Sequence, residues 1–151
     1  MQLTNATQED VQKIVELGVL MFQESPHYRR FDIDGGKIFD LVTYLIDNDD
    51  GIVILCKDDT GEIVGGFMGS VGEMWFGHAR VLCDNALFIH PAHRGGMTAA
   101  NLLREAFKQA KEIGAVEAQI TNTTGVYSAQ VERLYQYVGM THIGGYYYIG
   151  L

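Results

Sequence analysis

The stretch DNALFIHPAHRGGMTAANLLREAFKQA, residues 84–110, decides how the rest of this chain is read. It opens as an apolar strand that breaks at Pro91, passes through a short loop carrying Arg94, Gly95 and Gly96, and continues from Thr98 as an amphipathic helix. Leu102, Leu103, Ala106, Phe107, Ala110 and Ile113 fall on one helical face, and Gly114 is a fitting C-terminal stop. A strand, a glycine turn and a helix start bring free backbone N–H groups and the positive end of a helix dipole to one point. Such a point suits a pyrophosphate.

Upstream, GIVILCK at 51–57 is short, apolar and β-branched, which marks a buried strand. Asp58 to Glu62 is hairpin-turn material, and EIVGGFMGSV continues as a second strand whose glycines suggest a bulge or a close approach. ARVLCDNALFIH, 79–90, supplies one or two further strand segments with a kink. Before them come a short strand over 2–5, a helix starting near Thr7 with Val11, Ile14, Val15, Val19 and Phe22 on one face, and a helix carrying Ile38, Leu41, Val42, Leu45 and Ile46. ESPHYRRFDIDGG, 24–36, has no period and reads as the loop between those helices. Downstream, AVEAQIT predicts a strand, Val131, Leu134, Tyr135 and Val138 a helix between Tyr127 and Gly139, and MTHIGGYYYIGL two short terminal strands.

The 151 residues suit a single domain over 1–151, with 47% hydrophobic and 20% charged residues marking an ordered globular chain. A net charge of −8 opposes a broad electrostatic grip on nucleic acid, so no nucleic-acid partner is expected and a cationic or amine partner fits better. Cys56 and Cys83 each lie in an apolar run and are read as small buried hydrophobes in a reducing compartment. The N-terminus lacks a signal segment and no apolar run is long enough to span a bilayer, so a cytoplasmic protein with no membrane partner is expected.

No Gly-x-Gly-x-x-Gly fingerprint follows a strand, and Gly36-Lys37 lacks the remaining P-loop residues. His90 and His93 straddle a proline with no third ligand nearby in sequence, so no metal is expected. What remains, Ile89 to Ala99, resembles the acetyl-CoA-binding signature of the GNAT superfamily of acyl-CoA N-acyltransferases, Arg/Gln-x-x-Gly-x-Gly/Ala. Arg94 and Ala99 match, whereas Met97 stands where the family usually has its first glycine. Leu134-Tyr135-Gln136-Tyr137-Val138-Gly139-Met140 is similar to the family's Leu-Tyr-x-x-x-Gly-Phe, and Ser128 occupies a position where many members have asparagine. The element order also resembles the family's, and Trp75-Phe76 before the central strand resembles small phage-encoded members. The resemblance implies an α/β (α+β) fold with a mixed, mostly antiparallel sheet of six to seven strands and four helices.

It further implies a function: transfer of an acetyl group from acetyl-CoA, as co-substrate, to a primary amine on a small molecule or a protein. Backbone N–H groups of Gly95, Gly96, Met97, Thr98 and Ala99 would hold the pyrophosphate, with Arg94 adding charge and Ser128 nearby. The splayed strand at Leu87, Phe88 and Ile89 would bond the pantetheine arm and polarise the thioester. Tyr135 matches the general acid, and Asp84 or Glu73 is the candidate general base, beside water. Glu24, His27, Tyr28, Trp75, Tyr127 and Tyr146 are the candidates for the acceptor pocket. Each has a plainer reading, as a buried helix tyrosine, a turn carboxylate or an aromatic packed on a sheet. The alternative function is a catalytically weak CoA-binding or protein-interaction module, motivated by Met97. The tyrosine-rich terminal strands would also offer an edge for pairing with a second copy.

Overall fold

The computed structural model describes residues 1–151. The strands are β1 (Gln2–Asn5), β2 (Gly51–Lys57), β3 (Ile63–Glu73), β4 (Arg80–Ile89) and β5 (Glu117–Gln119), and the helices are α1 (Val11–Glu24), α2 (Gly35–Asp47), α3 (Thr98–Glu112) and α4 (Ser128–Tyr137). The strands form one sheet in the order β1-β2-β3-β4-β5. All neighbours pair antiparallel except β4 and β5, which are parallel. This is the expected α+β arrangement with four helices, but with five strands rather than six or seven.

The sheet is covered on both faces, which explains the unbroken apolar run of β2, a strand with no solvent side. On one face α3 packs Leu102, Leu103, Ala106 and Ala110 against Ile52, Ile54, Phe67, Leu82 and Ile89. On the other, Leu17 of α1 meets Leu55, Ile63 and Phe88, while Val11, Val15 and Val42 join α1 to α2. Asp34 starts α2 by accepting the N–H groups of Gly36 and Lys37 at 2.8 and 3.2 Å.

Two departures from the sequence reading matter for the site. The terminal segment 140–151 forms no strand, and Tyr146 and Tyr147 are 79% and 96% exposed. Strand propensity needs an edge to pair with, and β5, three residues long, leaves a short one. Instead Tyr148 packs against the loop after α1, edge-on to the His27 ring at 4.9 Å between centroids and beneath the Arg30 guanidinium at 4.4 Å. The terminal edge proposed for a second copy is therefore not present in this form. Cys83 is exposed on β4 rather than buried, whereas Cys56 is buried.

The expected kink in the third long strand is a bulge: Met68 pairs with Ala86 but Gly69 pairs with Asp84, which leaves Asn85 as the extra residue of β4. Gly69 is required beside it, because a Cβ there would lie 2.5 Å from the Cys83 carbonyl oxygen.

Candidate active site

A groove of about 530 Å³ opens where the end of α1, the end of β4, the start of α3 and the start of α4 converge. Its walls include Met21 and Glu24, Leu87 to Ile89, Gly95, Gly96, Thr98 and Ala99, and Tyr127, Val131 and Leu134.

One wall is the start of α3. Gly95 adopts φ +91°, a left-handed conformation that favours glycine, and nothing lies within 4 Å of where its Cβ would be. Met97 sits at φ −82°, ψ 0°, in the ordinary right-handed region, and no side chain caps the helix. The conformational demand of the turn thus falls on Gly95, and methionine at 97 costs the loop no strain. The Met97 carbonyl accepts the Asn101 N–H at 2.9 Å, so the N–H groups of Thr98, Ala99 and Ala100 precede the first intrahelical bond and have no partners in the helix, and Thr98 and Ala99 line the groove. Negative charge is favoured there.

The second wall is the edge of β4. Its pairing with β5 stops at Cys83 and Gln119, while β4 itself continues to Ile89. The His90 N–H bonds the Val64 carbonyl at 2.7 Å, so with Gly65 opposite Ile89 the ladder alternation turns Phe88 and Ala86 toward β3 and leaves Leu87 and Ile89 aimed at the open side. The Ile89 carbonyl is already used, accepting Arg94 Nε at 2.8 Å.

Arg94 forks onto the Glu24 carboxylate at 2.5 and 2.6 Å and lies 5.7 Å from the ring centroids of Phe88 and Tyr127. Its charge is therefore directed at Glu24 rather than left free for a phosphate. The Arg94 hydrogen bonds hold the Glu24 carboxyl below the usual carboxylate range. Because this folded-state value is lowered, the pair stabilises the fold above the ordinary glutamate range and the gain fades as pH falls through the lowered value. Both side chains are about a quarter exposed, so Glu24→Gln is expected to cost about 1 kcal/mol at pH 7. Denaturant titrations of the two proteins should draw together as pH falls below the ordinary glutamate range and converge only once it passes the lowered Glu24 value.

Tyr127 is the only non-glycine residue at positive φ, +49°, directly before α4, which turns its ring toward the groove mouth. The loop after α1 is fastened to the same region. Ser25, fully buried, donates its hydroxyl to the Thr124 carbonyl and accepts the Tyr28 N–H at 3.0 Å, while the Tyr28 hydroxyl bonds the Thr123 hydroxyl.

Of the anticipated acceptor residues, Glu24 and Tyr127 line the groove, and His27 and Tyr28 sit beside it on that fastened loop. Tyr146 lies on the exposed terminal segment. Trp75, 93% exposed, and Glu73, whose nearest partner is His78 at 3.4 Å, lie at the opposite end of the sheet. Glu73 pairs with Arg80, seven residues before Leu87, a separation of about 23 Å along the strand. The structure does not bring Glu73 or Trp75 to the groove. Ser128 opens α4 with its side chain exposed, its carbonyl accepting Asn122 Nδ2 at 3.0 Å.

Asp84 and Tyr135 meet at the fork between β4 and β5. The Asp84 carboxylate accepts both the N–H and the hydroxyl of Thr121, at 3.0 and 3.2 Å, and the Tyr135 hydroxyl donates to the Thr121 carbonyl at 2.6 Å. Burial raises the Asp84 carboxyl above its ordinary range against the pull of the Thr121 bonds, and burial followed by the Asp84 charge raises the Tyr135 phenol strongly. Sequence reasoning missed Thr121, Thr124 and Met21, whose importance comes only from what they touch across the fold. No helix is long and apolar enough to cross a membrane, and no cluster of three or more metal-ligating side chains is present.

No curated protein sequence matches the chain. Among solved structures, it is similar to an aminoglycoside acetyltransferase from an uncultured soil metagenomic sample, at 18% identity and TM-score 0.73 over 99% of this chain and 97% of that one. It is likewise similar to a ribosomal-protein-alanine N-acetyltransferase from Brucella melitensis biovar Abortus 2308, at 14% identity and TM-score 0.71 over the whole of both chains. A third similarity is to glucosamine-6-phosphate N-acetyltransferase from Arabidopsis thaliana, at 11% identity and TM-score 0.74 over 99% and 97% of the two chains. These likenesses carry the fold. The model of the acetyltransferase (GNAT) family matches residues 13–140, a span that takes in both walls of the groove and the fork behind it, and on that match the chain belongs to the GNAT acetyltransferase family.

Proposed function

We propose that this chain transfers an acetyl group from acetyl-CoA to a primary amine by direct attack. The observation that carries the reading is that two kinds of unpaired backbone face one groove: the uncapped start of α3 behind Gly95, and the β4 edge at Leu87 and the Ile89 N–H. The first suits a pyrophosphate and the second an extended, amide-bearing arm. An N–H on that edge would donate to the thioester carbonyl as its oxygen gains charge. The amine nitrogen bonds the carbonyl carbon, the carbon–sulfur bond breaks, and the thiolate departs with the Tyr135 hydroxyl as its donor. The proton lost by the amine passes to solvent through the open groove.

Neither carboxylate first considered as a base is suited to that role. Asp84 is engaged by both Thr121 donors, and Glu73 is remote. Glu24 lines the groove but is held ionised by Arg94, which makes it a weak base and a fitting counter-charge for a cationic acceptor. With the orientation of the two substrates supplying much of the rate, no strong base is required.

Titration calorimetry with acetyl-CoA, followed by thiol release in the presence of an aminoglycoside, glucosamine 6-phosphate and an alanine-terminated peptide, tests the proposal. Micromolar binding and amine-dependent release are expected. Absence of heat up to high micromolar acetyl-CoA would refute cofactor use, and binding without release for any amine would favour the CoA-binding module instead.

A further inference from the structure

Parallel pairing of β4 with β5 covers only Val81 to Cys83 and Glu117 to Gln119. Immediately beyond the last rung, a side chain takes over from the backbone: Asp84 accepts two hydrogen bonds from Thr121, its Oδ1 from the N–H and its Oδ2 from the hydroxyl. From the far side of Thr121, the Tyr135 hydroxyl of α4 bonds the carbonyl at 2.6 Å. Three elements therefore meet on one residue, next to Asn85, the extra residue of the bulge.

A backbone rung would hold the strands about 4.8 Å apart and close the β4 edge against β5. An aspartate side chain interposed between them satisfies the Thr121 N–H at a wider spacing, so the strands diverge without leaving that donor orphaned. A buried carboxylate is a costly spacer, because burial disfavours its charge. Threonine at 121 supplies two donors to it, while its carbonyl remains free for the helix behind.

We infer that Asp84 and Thr121 are positioning residues, which pin β4 to β5 at the point where they part, seat α4 there through Tyr135, and so hold the Leu87–Ile89 edge open for the pantetheine arm. The inference rests on the proposed use of acetyl-CoA. It assigns Asp84 a fixed hydrogen-bonding duty in place of proton abstraction, and it brings Thr121 into the site as a residue that acts through others.

The test compares full-length wild type with Asp84→Ala, Asp84→Asn, Thr121→Val and Thr121→Ser. Calorimetry with acetyl-CoA reports the whole groove, and calorimetry with 3′-phospho-ADP, the nucleotide half of CoA, reports the α3 end alone. Asp84→Ala and Thr121→Val are expected to lose about tenfold in acetyl-CoA affinity, on the order of one hydrogen bond, with 3′-phospho-ADP affinity unchanged. Asp84→Asn and Thr121→Ser keep an acceptor and a hydroxyl in place and should remain near wild type. Equal losses for both ligands would mean general loosening and would overturn the inference, as would unchanged acetyl-CoA affinity in the two disruptive variants. If Asp84→Ala does not fold, Thr121→Val, which removes a single hydroxyl, decides the matter. A wild type that binds 3′-phospho-ADP but gains nothing from the acetylated arm overturns the positioning role while leaving nucleotide binding intact. A wild type that binds neither refutes the proposed function itself.

Discussion

Gly96→Glu is expected to lower the affinity for acetyl-CoA about 100-fold with little change in melting temperature. Gly96 is exposed, does not need a positive φ, and has nothing within 4 Å of the position a Cβ would take, so a longer side chain meets no clash in the fold. What the glutamate would meet is the ligand. At about 4 Å, each pair of like charges costs between about 1 kcal/mol in water and about 4 kcal/mol near a protein surface. The groove is open to solvent, so a loss of just under 3 kcal/mol, the equivalent of 100-fold, is a middle value. Calorimetry with acetyl-CoA measures it directly, and Gly96→Ala serves as the neutral control. An unaltered affinity in Gly96→Glu would remove the pyrophosphate from the start of α3.

Tyr135→Phe is expected to lower kcat about 100-fold, with KM for acetyl-CoA changed severalfold at most, using the amine that gives the fastest wild-type release. Burial, reinforced by the Asp84 charge, holds the phenol protonated well above its ordinary range. Wild-type turnover should therefore show no alkaline loss from tyrosine ionisation up to about pH 10. The same shift makes full proton transfer to a thiolate, whose thiol has a pKa of about 8.5, an uphill step. The phenol is better suited to donating a hydrogen bond to the thiolate as it forms, which places the effect at the low end of general-acid contributions. To do so the hydroxyl must leave the Thr121 carbonyl, to which it donates at 2.6 Å, a net loss of about 1 kcal/mol. That is smaller than the catalytic gain expected from it. A wild-type kcat in Tyr135→Phe would leave the residue with its tethering of α4 to β5 and no part in the chemistry.

The elements that carry the site were legible wherever a face of a helix or strand was buried. The apolar stripe of α3, from Leu102 to Ala110, marked a helix from Thr98 and a stop at Gly114, and the helix runs Thr98–Glu112 with Gly114 at φ +93°. GIVILCK reads as a buried strand for the same reason, and its five central residues are all buried. The terminal tyrosines misled, because β-propensity describes a fit to a pleated surface and no neighbouring strand presents one to residues 140–151. At Met97 the family motif counts residues, whereas the backbone places its left-handed turn at Gly95.

The sequence by itself determined the order of strands and helices as far as α4 and the presence of a glycine turn opening onto a helix, since both follow from local periodicity and local backbone freedom. Only the tertiary structure decided that Arg94 spends its charge on Glu24, seventy residues earlier, that Asn85 is the bulged residue, and that Asp84, Thr121 and Tyr135 form one chain of hydrogen bonds. Those outcomes depend on strand register and on where distant element ends come to lie in space. A one-residue slip in pairing exchanges which groups face the groove, and no pattern within any one element records which residue of another will stand opposite.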